Sequence, residues 1–100
     1  MPARIELTDA QAANIAEILM QYAPEGWLKL TMLFKTNDEL TQIDTWAETT
    51  HTAEHGFQLD GEDADAVEAI LGDIWEQSNK AWEFAEYSLD CEGNFAISFE

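Results

Sequence analysis

One hundred residues with 46% apolar types are enough for a single folded domain, and too few for a second core. The chain carries 21 Asp and Glu against 4 Lys and Arg, a formal net charge of −17. Charge of that sign and size repels polyanions, which argues against binding to nucleic acid or to an anionic membrane; it favours capture of a cationic partner, with general acidity for solubility or salt tolerance as the other reading.

At the start of the chain, Met1 to Glu6 lacks the apolar stretch of a signal peptide, and nowhere do eighteen apolar residues run together. Cys91 is the only cysteine, which rules out an intrachain disulfide and fits a reducing, cytoplasmic setting. Thr8 followed by Gln11 makes a capping box, and Ile15, Ile18, Leu19 and Tyr22 recur at helical spacing until Pro24-Glu25-Gly26, which predicts a first helix over about residues 9 to 23. From Trp27 to Lys35 the period becomes two, with Leu28, Leu30, Met32 and Phe34 on one side and Lys29, Thr31 and Lys35 on the other. Thr36-Asn37-Asp38-Glu39 supplies a turn, and Leu40 to Glu48 reads as the second strand of a hairpin.

Residues 49 to 56 show no period and read as a loop, with Phe57-Gln58-Leu59 as a short third strand. Asp60 is placed to cap a second helix whose first turns hold Glu62, Asp63 and Asp65, where negative charge meets the positive end of the helix dipole. Val67, Ile70, Leu71, Ile74 and Trp75 give that helix an apolar stripe as far as about Ser78. Trp82 to Asp90 alternates again, Cys91-Glu92-Gly93-Asn94 forms a hairpin loop, and Phe95, Ile97 and Phe99 mark a last strand. The expected fold is therefore α+β, a single antiparallel sheet of four to five strands with two helices on one face, in the order α-β-β-(β)-α-β-β. The other face would meet water.

Putting each strand's larger apolar set inward leaves Asp44, Trp46, Glu48, Trp82, Phe84 and Glu86 on that open face, among Lys29, Thr31, Ser88 and Ser98. Carboxylates beside large rings have the character of a protein interface, because aromatics dominate binding hot spots while charge steers and selects. A register slip of one residue would instead turn the three rings into the core, so exposure and burial both stand at this point.

Catalytic patterns are weak. His51-Thr52-Ala53-Glu54-His55 has the His-x-x-Glu-His order of a zinc hydrolase, but Thr49, Thr50 and Gly56 around it disfavour the helix that would converge the imidazoles, so solvated loop histidines are expected. Asp60, Glu62, Asp63 and Asp65 lack the Gly at position six and the Glu at position twelve of a calcium loop, where Asp65 and Leu71 stand. Cys91, between Asp90 and Glu92, has none of the cationic neighbours that activate a thiolate. No enzyme activity, cofactor or metal is expected.

The C-terminal run from Trp82 through Glu-Phe-Ala-Glu-Tyr-Ser-Leu-Asp-Cys-Glu-Gly-Asn-Phe to Glu100, and the Pro24-Glu25-Gly26-Trp27 turn between the first helix and strand, resemble YezG-like immunity proteins. Residues 36 to 60 depart from the resemblance, being short and without an extended aromatic segment. The resemblance implies an antitoxin that neutralises a contact-delivered toxin, whose C-terminal nuclease domain would be the basic partner. An acidic DNA-mimic or regulator of a host nucleic-acid-binding protein is the alternative reading of the same charge, and a small hydrolase built on His51 and His55 is the rival from another class.

Overall fold

A computed structural model describes residues 8–37, 39–51 and 54–100. Met1 to Glu6, Asp38 of the first turn, and Thr52 and Ala53 of the histidine string lie outside the described residues. The elements run α1 (Asp9–Met20), β1 (Trp27–Thr36), β2 (Thr41–Thr49), β3 (His55–Phe57), α2 (Gly61–Gln77), β4 (Phe84–Asp90) and β5 (Phe95–Phe99). All strand pairs are antiparallel, and the five form one sheet in the order β3-β2-β1-β4-β5. The α+β architecture and element order are those expected.

The capping box opens α1 as its sequence requires: the Gln11 amide donates to the Thr8 hydroxyl at 3.1 Å and the Thr8 amide to the Gln11 side chain at 2.9 Å. The helix stops at Met20, three residues early, because Gln21, Tyr22 and Ala23 switch to bonds three residues back, and the residue before a proline is excluded from helical geometry. Ala12, Ile15 and Leu19 of α1 and Val67, Leu71 and Ile74 of α2 bury against Leu30, Met32 and Phe34 of β1, Ala47 of β2, and Ala85, Tyr87 and Leu89 of β4. The core thus lies between the helices and one face of the sheet, as binary patterning dictates. No helix among the described residues is long and apolar enough to cross a membrane.

Tyr22 ties the end of α1 to the start of α2. Its ring stacks on Phe57 with centroids 5.7 Å apart, its hydroxyl donates to the Asp63 carboxylate, and it accepts the Asp60 amide at 2.9 Å. Asp60 stands at the N-cap of α2 as expected, its carbonyl accepting the Ala64 amide at 2.8 Å, but its side chain makes no cap hydrogen bond. The same tether shifts the third strand two residues earlier than expected. Gln58 and Leu59 leave the sheet to reach α2, while Phe57 stays in it, pairing with Thr45 and accepting the Thr45 hydroxyl at its carbonyl. Leu28, expected inward, is exposed, because the β1 to β2 register shifts between Trp27 and Lys29.

Tyr87, fully buried on β4, donates its hydroxyl to the Ala12 carbonyl of α1 at 3.0 Å. Burial pushes its phenol from 10.0 up to about 12. The folded state therefore keeps a proton that the unfolded chain gives up, and stability present below pH 10 is expected to fall as pH rises towards 12. Urea midpoints measured from pH 8 to 12 should drop over that window, and drop less in Tyr87→Phe. A midpoint equally pH-dependent in both proteins would place the titration elsewhere.

Candidate partner-binding face

Side chains alternate across a strand, so the β1 to β4 register settles which residues share the uncovered face. On β1 these are Lys29, Thr31, Leu33 and Lys35, and their cross-strand neighbours form four rows. Glu48 and Asp90 flank Lys29, Trp46 and Ser88 flank Thr31, Asp44 and Glu86 flank Leu33 with Ser98 beyond Glu86, and Gln42 and Phe84 flank Lys35. Thr31 is only 5% exposed although no helix among the described residues packs on this face.

Asp44, Glu48 and Glu86 are exposed and Trp46 and Phe84 half-buried, all on this face as expected from strand alternation. Trp82 is not among them. It is 3% exposed, on the helix side, with its ring tilted against Phe34 at 6.1 Å and Phe99 at 4.9 Å. The alternation that would have carried Trp82 outward breaks at Glu83 and Phe84, whose amides both donate to the Glu100 carbonyl, at 2.8 and 2.9 Å. Two successive donors on one acceptor make a β-bulge, and the extra residue reverses which face the preceding side chain occupies.

Among the open depressions on this face, two hold an aromatic ring. At the first, β3 pairs only with Thr45 to Ala47, so β2 runs on alone and leaves a groove of about 490 Å³ beside Asp44, Trp46, Glu54 and Gly56. Gly56 sits across from Trp46 and brings no side chain to fill it. The second, of about 250 Å³, is lined by Leu33, Phe84, Glu86, Ser98 and Glu100. Each combines an aromatic ring with two carboxylates, a set suited to a Lys or Arg side chain. Within the chain this pairing is already used: the Lys35 ammonium lies 5.3 Å from the centre of the Phe84 ring.

No protein-family model matches the chain, and neither does any curated protein.

Glu54, Glu100 and Leu33 were missed from sequence. Glu54 lay in a stretch without period, and Leu33 broke the alternation as an apolar residue between polar outward neighbours. That break was the signal available, since an apolar residue at a solvent-facing position marks a surface with a second use. Asp90 serves the β4 to β5 hairpin, where it accepts the Asn94 and Glu92 amides at 2.9 Å each, and the Asn94 amide chiefly holds its carboxyl below the ordinary range. Gly93 takes φ 91°, the left-handed turn conformation for which glycine was expected.

The other candidates bring little together. His55 opens β3 and is exposed, and His51, at a bend, is exposed too. Among the described residues no group of three or more His, Cys, Asp or Glu converges as a metal site. Glu62 and Asp63 occupy the first turn of α2, with Asp65 following in the helix and Asp63 accepting the Tyr22 hydroxyl.

Proposed function

We propose that the chain is an antitoxin of the immunity type, which binds the nuclease domain of a cognate toxin through its open sheet face and so neutralises it in the producing cell. The observation that carries this reading is the pairing of exposed carboxylates with half-buried rings on a face that no helix among the described residues covers. Nuclease grooves are lined with Lys and Arg to hold phosphates, and Asp44, Glu48, Glu54 and Glu86 offer anionic partners to such side chains while Trp46 and Phe84 exclude water. The net charge of −17 would steer the encounter over a Debye length of about 8 Å at physiological salt. This role assigns no catalytic residue, cofactor or metal.

The test is co-expression with the C-terminal domain of a toxin encoded beside the gene. Rescue of growth, a stable complex, and an association rate that falls at least tenfold from 50 to 500 mM salt while dissociation changes much less are the expected results. A toxin that kills undiminished, with no complex formed, would end the immunity reading. A complex with a host nucleic-acid-binding protein in its place would favour the regulatory alternative.

A further inference from the structure

β5 is the last strand of the sheet, and the hydrogen-bond phase determines what its outer edge presents. Phe84 and Glu100 exchange both backbone bonds, at 2.9 and 2.8 Å, and the Asp90 amide reaches the Asn94 carbonyl at 2.9 Å. Such pairs recur at every second residue of an antiparallel ladder, so Ala96 and Ser98 aim their peptide groups at β4. Phe95, Ile97 and Phe99 then aim theirs away from the sheet, where no strand among the described residues meets them.

Within the run Phe-Ala-Ile-Ser-Phe of Phe95–Phe99, three devices that protect such an edge, namely charge, proline and a register break with β4, are absent, the bulge at Glu100 lying just beyond. The inward side chains of β5 are incompletely covered: Phe95 stacks on Tyr87 at 5.9 Å yet remains 46% exposed, and Ile97 and Phe99 are only partly buried. An added strand would cover these three side chains with its own apolar residues on the helix side. On the open side its alternate residues would extend the rows that end at Ser98 and Ala96, close to Glu86 and Glu100.

We propose that β5 is a docking edge for a strand of the basic partner, in which apolar and Lys or Arg residues alternate. The inference rests on the basic-partner reading above and adds the mode of contact. A second copy of this chain fits the same edge by shape but not by charge, since each copy brings a net charge of −17.

The probe is a ten-residue peptide of five Lys-Val repeats, with five Lys-Pro repeats as a control of equal charge that cannot complete a ladder. At 50 mM salt the Lys-Val peptide is expected to bind at least tenfold more tightly than the control and to slow hydrogen exchange at the Phe95, Ile97 and Phe99 amides at least tenfold. Ile97→Pro removes an outward-pointing donor and leaves the β4 ladder intact, so it should abolish that preference. If this variant does not fold, Phe95→Lys at an exposed position should weaken Lys-Val binding at least tenfold. Equal binding of the two peptides, or protection at other amides, overturns the edge inference and leaves the basic-partner reading standing. Failure of both peptides to bind overturns the edge inference, and co-expression with the toxin domain then decides the wider reading separately. Self-association of the protein alone with the same three amides protected overturns the choice of occupant in favour of a second copy.

Discussion

Trp82→Ala is expected to cost about 3 to 5 kcal/mol of folding stability, the range for deleting a core tryptophan. The ring is 3% exposed and fills the space between Phe34 of β1 and Phe99 of β5, so its loss opens a cavity that rigid strands on both sides cannot close. In a domain of 100 residues that cost corresponds to a fall in Tm of roughly 12 °C or more. Trp82→Phe should be far milder. The indole Nε1 is buried without a hydrogen-bond partner among the described residues, so phenylalanine removes that donor while keeping most of the apolar volume. Trp75 Nε1 donates to the Trp82 backbone carbonyl at 2.8 Å, a contact that neither substitution removes directly. Thermal melts of the two variants decide the matter: an alanine variant as stable as the parent would mean that the ring is not part of the core.

Charge reversal on the open face is expected to do the opposite, sparing the fold and harming the complex. Asp44→Lys together with Glu86→Lys moves the net charge by four, from −17 to −13, and places two cations where a basic partner would dock. Both positions are exposed, so stability should change by no more than about 0.5 kcal/mol per site. Association with the toxin domain should slow by about tenfold or more, and affinity should fall further where a carboxylate is desolvated in the complex, by about 2 to 5 kcal/mol per pair. Trp46→Ala tests the ring directly, with an expected loss of at least about 2 kcal/mol in binding. Stopped-flow association and equilibrium affinity for each variant supply the readout. If the doubly reversed protein binds at the parent rate, the docking surface lies elsewhere, and the acidic first turns of α2 around Glu62 and Asp65 become the place to look.

Element type and order were legible along the chain because each rests on a local cause. A capping box at Thr8 and Gln11, apolar residues at helical spacing, period-two alternation in β1 and β4, and Gly93 in a hairpin turn act over a few residues, and no distant contact is needed to read them. The outward placement of Asp44, Trp46, Glu48, Phe84 and Glu86 followed from the same alternation, given one sheet covered on one side. Where prediction failed, the deciding interaction joined residues far apart. The carbonyl of Glu100 takes two amides from Glu83 and Phe84 and reverses the phase that would have placed Trp82 outward. The hydroxyl of Tyr22, 38 residues away, holds the Asp60 amide and draws the chain out of the third strand ahead of α2. The order β3-β2-β1-β4-β5, which leaves the outer edge of β5 without a neighbour among the described residues, is likewise a property of which strands meet. Alternation reports the period of a strand but carries no information about its phase across a bulge or about its neighbour, and those are settled only when backbone donors and acceptors from distant segments find one another.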